Sequence, residues 1–490
     1  MLFNTIDFII FFIVVFTAIV IIKKGKYQHL VLLGASFIFF YYSNNYLIIL
    51  LIISTILDFI VGKEIWKTKD LARKKLLLIL SIAGNLGLLG FYKYADFSIL
   101  QFNNLADSLG VPIDIELLNI ILPVGISFYT FQTLSYTIDV YRGKLSPSES
   151  FKEFALFVAF FPQLVAGPIL RASHFLPQLR EKIDDAKNNF RTRQILIKSS
   201  NLKLGLTIMS FGFFKKMFFA DNIGLFVDNI FQNPLGLDSF SMILGAIAFG
   251  VQIYCDFSGY SDIAIGIAII LGFKIPINFN KPYFSTSPSD FWNRWHISLS
   301  SWLRDYLYIP LGGNKKSRER TYLNVIIVMF LGGLWHGAAW NFVIWGLLHG
   351  GYLACHKIIQ NKIPSTRFQN FTKNRYGKIL SILVTQYFIF LAWLVFRIHD
   401  LDLVLHSMYK YVIWDFKIEQ VAEIISSNQF PVFLIIAFFV LNFISYKHGN
   451  LHGFVTKIKV QYWFVFLGFL LVTILIFQTG QLQDFIYFRF

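Results

Sequence analysis

Long apolar runs recur along almost the whole of this 490-residue sequence, and they limit its possible folds more than any other feature. A helix needs about 20 predominantly apolar residues to cross the hydrocarbon core of a bilayer. Runs of that length, or somewhat shorter, lie at 6–22, 28–42, 46–62, 76–92, 119–140, 203–222, 239–256, 322–338, 340–356, 378–397, 430–446 and 461–478. They predict an all-α, polytopic membrane protein with about 10 to 12 transmembrane helices.

Two further stretches, 154–167 and 260–272, are apolar but contain Pro, Gly or charged residues. Such stretches are typical of re-entrant or half-spanning helices, which occur only where protein or a cavity covers their backbone. No repeat, low-complexity tract or long linker divides the sequence. We therefore expect one integral-membrane domain over residues 1–490, with its motif-rich core at about 121–356.

Basic residues are concentrated in alternate connections between the apolar runs. Segments 23–27 and 63–75 carry nine Lys and Arg residues, whereas 93–118 carries only Lys93. Because basic loops stay on the cytoplasmic side, this asymmetry predicts that both chain termini lie outside. The formal net charge of +16 is then explained by topology and by anionic membrane lipids. A nucleic-acid partner is not expected, since the basic residues are spread over many loops.

A Trp-rich segment, SPSDFWNRWHISLSSWLRDYLYIPLGGN, occupies residues 287–314. If it forms one helix, its apolar side chains share one arc: Phe291, Trp292, Trp295, Leu299, Trp302 and Leu303. Four polar side chains would line the adjoining strip: Asn293, His296, Ser300 and Arg304. The pattern fits either an interfacial helix with an aromatic belt at headgroup level or the wall of a polar site.

His336 is an ionisable residue near the end of an apolar run. Intramembrane histidines usually face a bundle interior or a water-filled cavity, because lipid offers no hydrogen-bond partner. Glycines on both sides of His336 would let backbone or substrate approach closely, and Trp335 and Trp340 would act as walls. The arrangement suits a tunnel, and a packed histidine that donates to a backbone carbonyl is the alternative.

Acidic residues also occur in an apolar motif, CDFSGYSDIAIG, which holds Asp256 and Asp262. Buried acids must be paired or hydrogen-bonded. We therefore expect these two to form ion pairs with Arg294, Arg304 or Lys274 rather than to take part in catalysis.

A metal site is not expected. His349 and His356 follow His336, but no carboxylate lies among them and no HExxH motif occurs. The two cysteines, Cys255 and Cys355, lie in apolar segments and predict neither a disulfide framework nor a thiolate metal site. The absence of a G-x-S-x-G motif argues against a serine hydrolase.

Three separated motifs are recognisable: CDFSGYSDIAIG (255–266), FWNRWHISLSSWLRDYLYIPLGGN (291–314) and LGGLWHGAAWNFVIWG (331–346). They closely resemble the bacterial branch of the membrane-bound O-acyltransferase family. That branch contains alginate, cellulose and peptidoglycan O-acetylation proteins and the D-alanyl transfer protein of teichoic acids. The resemblance is strongest from about 121 to 356 and places the protein in a bacterial cytoplasmic (inner) membrane.

The resemblance implies an acyltransferase that takes an acyl group, most simply acetyl, from a cytoplasmic thioester such as acetyl-CoA. The group would cross through a central tunnel for O-acylation of a cell-envelope glycan, with no bound cofactor. His336 would be the general base, since a neutral imidazole can remove the proton of the attacking hydroxyl. His296 would orient the acyl carbonyl or hold the donor, although many family members have Asn at the second position.

Further site residues follow from the same interpretation. Asn293, Ser300 and Arg304 on the polar strip, together with Trp335, are the candidate substrate-binding residues. A periplasmic or extracellular esterase-like protein is the expected partner. The alternatives are D-alanyl transfer to teichoic acid within the family and, in another class, a non-catalytic transporter or flippase.

The chain ends in QLQDFIYFRF, which contains Tyr487. The predicted topology places this aromatic segment outside, short enough to fold back against the bundle. It is similar to the C-terminal motif of a small partner in the D-alanylation system, where an acyl group is thought to pass through a terminal hydroxyl. Tyr487 would then be a covalent relay that His336 activates. An aromatic anchor for the last helix is the alternative.

Overall fold

The computed structural model describes residues 1–164, 167–189, 192–363, 371–372, 374–449, 451–478, 483 and 485–486. Regular structure in these ranges is entirely helical. The prediction of an all-α fold is therefore confirmed. It follows from apolar segments that must satisfy their own backbone hydrogen bonds inside lipid.

Seven helical stretches among the described residues are long and apolar enough to cross a membrane. They are Gly25–Lys67, Leu71–Ser108, Ser239–Ile270, Trp340–Lys362, Arg375–Arg397, Gln429–His448 and Val460–Phe477. The multi-pass prediction is thus confirmed. Other predicted spans fall on shorter helices, such as Ile6–Ile21 and Ile126–Tyr141. The expected number of about 10 to 12 transmembrane helices therefore stays a prediction.

The chain forms two compact units, and the first comprises Met1–Met209 with Ile263–Pro276. Its helices are α1 (Ile6–Ile21), α2 (Gly25–Asn44), α3 (Ile48–Lys67), α4 (Leu71–Ser108), α5 (Ile126–Tyr141), α6 (Phe151–Ala159), α7 (Phe161–Leu164), α8 (Ala172–Asn188) and most of α9 (Ser199–Phe213). Helices α3, α4 and α5 are joined through a buried polar cluster. Ser81 and Asn85 on α4 donate to the two carboxylate oxygens of Asp58 on α3, at 2.5 and 2.9 Å.

The second unit comprises Ser210–Asp262 with Ile277–Phe490. It contains a π-helical segment (Phe214–Ala220), α10 (Asp221–Gln232), most of α11 (Ser239–Ile270), α12 (Pro288–Trp292), α13 (Ile297–Leu303), a second π-helical segment (Arg304–Tyr308), α14 (Arg318–His336), α15 (Trp340–Lys362), α16 (Arg375–Arg397), α17 (Leu401–Val412), α18 (Ile418–Ser427), α19 (Gln429–His448), α20 (Leu451–Lys457) and α21 (Val460–Phe477). All three recognised motifs lie wholly or mainly in this unit. The expectation of a single domain stays a prediction.

The two stretches predicted as half-spanning helices differ. The stretch 154–167 is interrupted as expected, because α6 ends at Ala159 and the short α7 begins at Phe161. The prediction for 260–272 is wrong, since most of that stretch continues α11. Its glycine serves packing instead: a Cβ at Gly266 would lie 2.5 Å from the carbonyl oxygen of Gly205 on α9.

Candidate active site

A tight helical hairpin, formed by α14 and α15, positions His336. The two helices approach closely because glycines face each other across the hairpin. A Cβ at Gly346 would lie 2.5 Å from the carbonyl oxygen of Met329 and 3.2 Å from Cα of Gly333. His336 is the last residue of α14, and the chain turns immediately after it into α15. The hairpin thereby fixes the imidazole at a helix end.

Aromatic rings surround His336 on several sides. Its ring centroid lies 5.1 Å from that of Trp335, 4.9 Å from that of Trp345 and 5.2 Å from that of Phe396, each in edge-to-face geometry. The side-chain amide of Asn341 donates to the carbonyl oxygen of Phe396 at 3.1 Å and so joins α15 to the end of α16. His336 is only 6% exposed. An imidazole held in this way is largely shielded from bulk water.

The Trp-rich segment is not the single helix predicted from its spacing. It forms α12 and α13, and His296 lies in the turn between them with φ 42° and ψ 54°. The turn is held by Asn278, whose carbonyl oxygen accepts from the N–H of Ile297 at 2.9 Å. The Asn278 side-chain oxygen also accepts from the hydroxyl of Ser298 at 2.6 Å. These contacts with a distant loop overrode the local helical pattern.

His296 is fully buried and also lies among aromatic rings. Its ring centroid lies 4.7 Å from that of Phe257 and 6.1 Å from that of Trp335. Trp335 therefore contacts both histidines. Burial lowers the pKa of His296 to about 3, because a charged imidazole would lose its hydration there. His296 is consequently neutral at physiological pH.

The other residues of the predicted polar strip are placed differently from His296. Asn293 and Arg304 are exposed, and Nε of Arg304 donates to Asp305 at 2.8 Å. The hydroxyl of Ser300 donates to the carbonyl oxygen of Trp292 at 2.9 Å. The break in the helix turns His296 inward and leaves Asn293 and Arg304 at the surface. Their binding roles stay predictions, whereas Trp335 lies beside both histidines.

The acids of α11 are paired as expected, but not with the expected residues. Asp256 lies 2.7 Å from Nζ of Lys216, and Asp262 lies 2.6 Å from Nζ of Lys215. The predicted partners were wrong: Arg294, Arg304 and Lys274. Sequence reasoning overlooked the lysine pair, although two adjacent cations inside the apolar run 203–222 are a usable indication that buried acids lie opposite.

The C-terminal segment contacts the ion pair of Asp256 and Lys216. The backbone N–H of Ile486 donates to Asp256 Oδ2 at 2.7 Å, and Nζ of Lys216 donates to the carbonyl oxygen of Gln483 at 3.2 Å. The described part of the tail therefore lies against the helices of the second unit, as expected for a segment that folds back. Tyr487, the predicted covalent relay, lies outside the described residues.

His349 is a second buried histidine near His336. Its Nδ1 accepts from Nε1 of Trp292 at 3.3 Å, and its ring lies 4.6 Å from that of Trp345. In the described ranges, no group of three or more His, Cys, Asp and Glu side chains is arranged to hold a metal ion. His349 thus supports the aromatic wall behind His336.

Residues 144–398 match the model of MBOAT, the membrane-bound O-acyltransferase family. This range is slightly more than half of the chain, and it includes both histidines and the lysine pair. The chain belongs to the membrane-bound O-acyltransferase family. The family assignment that the three motifs suggested is thereby confirmed.

Sequence similarity to curated acyltransferases supports the assignment of this membrane-bound O-acyltransferase to the family. The peptidoglycan O-acetyltransferase of Helicobacter pylori is 41% identical over 373 residues, which cover 71% of this chain and 67% of the relative. The probable alginate O-acetylase of Pseudomonas aeruginosa is 41% identical over 372 residues, 75% of this chain and 66% of the relative. The chain thus spans about two thirds of the length of these relatives. The teichoic acid D-alanyltransferase of Bacillus subtilis is 29% identical over 289 residues, 57% of this chain and 69% of the relative.

Proposed function

We propose that this protein transfers an acetyl group from a cytoplasmic thioester, such as acetyl-CoA, across the membrane for the O-acetylation of a cell-envelope glycan outside. The glycan would be peptidoglycan or an exopolysaccharide of the alginate type. One observation carries the proposal: the rings of His336 and His296 both lie beside that of Trp335, within the residues that match the acyltransferase family.

The two histidines support different roles in this reaction. His336 accepts the proton of the attacking hydroxyl while the hydroxyl oxygen forms a bond to the thioester carbonyl carbon. The carbon–sulfur bond then breaks, and the proton passes to the leaving thiolate, so that an ester and a free thiol result. His296 is neutral and buried, and it serves to orient the acyl carbonyl rather than to carry charge.

The position of the donor follows from chemistry. A coenzyme A thioester carries phosphate groups that cannot enter hydrocarbon, whereas its acetyl end is small and apolar. The donor therefore binds at the basic, cytoplasmic face, and its acetyl group reaches His336 through a tunnel. A multi-pass protein of this kind lies in the bacterial inner membrane, with both termini outside. An esterase-like protein outside the membrane would deliver the acyl group to the glycan.

D-alanyl transfer to teichoic acid is the second candidate. It is favoured by the similarity to teichoic acid D-alanyltransferases, at 29% and 30% identity. The higher identity to O-acetylation proteins favours acetyl transfer. Mass spectrometry of the acylated glycan distinguishes the two, because an alanyl ester retains an amine.

The first test of this function is His336→Ala. Loss of a general base lowers rates by about 10²- to 10⁴-fold, so we expect glycan-bound acetate to fall to background. The protein should still insert into the membrane, because the aromatic rings around the site remain. Acetate release from purified envelope glycan measures the product, and detergent extraction with size-exclusion chromatography checks the fold. Near-normal O-acetylation in the well-folded variant would refute the role of His336.

The second test concerns Tyr487. We propose that its hydroxyl accepts the acyl group from the thioester and passes it on, with His336 as the base. Support comes from its neighbour Ile486, whose N–H is bound by Asp256 within the second unit. Tyr487→Phe keeps the ring and removes only the hydroxyl. We expect it to abolish glycan O-acetylation and any acyl-tyrosine adduct found by mass spectrometry of the C-terminal peptide. Full activity would leave only an anchoring role for this residue.

A further inference from the structure

A lysine is buried between two aspartates in the second unit. Nζ of Lys216 lies 2.7 Å from Asp256 and 2.9 Å from Asp221, and the lysine is only 1% exposed. Two carboxylates around one ammonium leave an excess of negative charge in a buried place. Such a cluster is costly unless further donors reach the carboxylates.

The C-terminal segment makes two hydrogen bonds with this cluster: it donates one to Asp256 and accepts one from Lys216. The N–H of Ile486 donates to the Asp256 oxygen that Lys216 does not occupy, at 2.7 Å. Lys216 in turn donates to the carbonyl oxygen of Gln483 at 3.2 Å. Both bonds involve the backbone of the segment and one ionised side chain, which makes them stronger than bonds between neutral groups.

An aromatic contact accompanies the polar one. Phe485 is fully buried, with its ring centroid 4.3 Å from that of Tyr260 and 5.8 Å from that of Phe257. The ring of Phe257 lies 4.7 Å from that of His296. A single aromatic ring thus separates the bound segment from one of the two site histidines.

We propose that Lys216 and Asp256 form a docking site for the C-terminal segment of this chain, and that the docked segment is positioned for acyl transfer. The occupant is the C-terminal segment, recognised by one carboxylate and one ammonium at the backbones of Gln483 and Ile486, with Phe485 in the adjoining aromatic pocket. Lys216 and Asp256 are positioning residues, because they hold the segment and touch no reacting atom. The second half of the proposal depends on the proposed function, and the first half does not.

A second, similar salt bridge, between Lys215 and Asp262, provides a matched control for the one between Lys216 and Asp256. Asp256→Asn leaves one acceptor oxygen where two are needed, so either the lysine or the Ile486 N–H loses its partner. Asp262→Asn alters the neighbouring pair with Lys215, which is 2.6 Å long and has no described contact with the segment. Only the first substitution should release the C-terminal segment.

The experiment measures the accessibility of the segment directly. Ile486→Cys is introduced together with Cys355→Ser, and a membrane-permeant maleimide is added to the purified full-length protein. We expect slow labelling of Cys at position 486, a rise of about tenfold or more in Asp256→Asn, the factor typical of losing one charge-assisted hydrogen bond, and no rise in Asp262→Asn. Equal labelling rates in all three proteins would overturn the docking site.

A variant within the segment covers the case in which Asp256→Asn does not fold. Phe485→Ala removes the ring between Tyr260 and Phe257 and leaves the helical bundle unchanged. It should increase labelling at position 486 as well, and unchanged labelling in this variant would count against docking.

A measurement of glycan O-acetylation then tests whether the docked segment is positioned for acyl transfer. Release of the segment should reduce glycan O-acetylation in Asp256→Asn, whereas Asp262→Asn should retain it. A released segment with normal acetylation would overturn positioning. Labelling does not require turnover, so a protein without acetyltransferase activity would refute the proposed function and still allow docking to be judged.

Discussion

At the scale of single residues, His296 combines complete burial with a left-handed backbone conformation. A residue other than glycine in that conformation costs about 1–2 kcal/mol, and asparagine tolerates it better than most. Contacts with Asn278 and Phe257 hold the turn in place. The position therefore suits either histidine or asparagine, since each has a polar side chain that can orient a carbonyl group.

Substitution of His296 separates orientation from proton transfer. We expect His296→Asn to retain O-acetylation within about tenfold of the original protein, because asparagine accepts the backbone conformation and can still donate a hydrogen bond. His296→Ala should lose more activity and also stability. Activity of His296→Asn as low as that of His336→Ala would instead assign proton transfer to His296.

The lowered pKa of His296 gives a pH dependence with a defined sign. Because the folded-state pKa is about 3 and the unfolded value is near 6.5, the unfolded chain binds more protons between these values. The free energy of unfolding should therefore decrease as the pH falls below about 6.5. Thermal unfolding in detergent at pH 5 and pH 7 measures this, and His296→Asn should show a smaller difference between the two.

At the scale of elements, the hairpin of α14 and α15 depends on close backbone contact. Small residues at helix crossings are the usual means by which membrane helices approach. Here the crossing lies three residues before His336 on α14 and six residues into α15, so the separation of the helices sets the distance between His336 and Trp345.

Two glycines of α15 provide a matched pair for a test of the hairpin. Gly346→Ala would place a Cβ 2.5 Å from the Met329 carbonyl oxygen, whereas a Cβ at Gly351 meets nothing within 4 Å. Overpacking costs about 1–3 kcal/mol, so we expect Gly346→Ala to lower the Tm and the activity. Gly351→Ala should leave both unchanged or raise the Tm slightly. Equal Tm values for the two variants would contradict this account.

Much of the helical pattern was predictable, because the apolar runs alone dictate where helices cross lipid. The runs at 340–356, 378–397 and 461–478 agree closely with α15, α16 and α21. The burial of His336 among aromatic rings was also predictable, since lipid offers an ionisable side chain no hydrogen-bond partner. Its catalytic role stays a prediction.

The predictions that were wrong concerned features that depend on contacts between distant parts of the chain. The periodicity of the Trp-rich segment predicted one helix, but Asn278 holds a turn there, and nothing local indicates this. The partners of Asp256 and Asp262 lie 40 and 47 residues upstream, respectively. Both are on a π-helical segment, whose wider turn does not follow the 3.6-residue period. Sequence periodicity identifies the faces of regular helices and cannot locate such breaks.

At the scale of the whole molecule, the distribution of basic residues predicts an inner and an outer face. Helix α4 has 38 residues and a length of about 57 Å at 1.5 Å per residue. It is longer than the hydrocarbon core of about 30 Å, so we expect its two ends to emerge on opposite sides. Lys69 precedes this helix and Asn104 lies in its last turns, and both are exposed.

The final prediction concerns sidedness, on which the cytoplasmic origin of the donor depends. Single cysteines replace Lys69, Lys315 or Asn104 in a Cys355→Ser background, because Cys355 is exposed whereas Cys255 is buried. Positions 69 and 315 lie in basic loops, which stay inside, so an impermeant maleimide added to intact cells should label only position 104. After the membrane is opened, all three positions should react, which confirms that each is accessible. Labelling of position 315 in intact cells would place the basic loop before α14 outside and remove the physical reason for a cytoplasmic thioester donor.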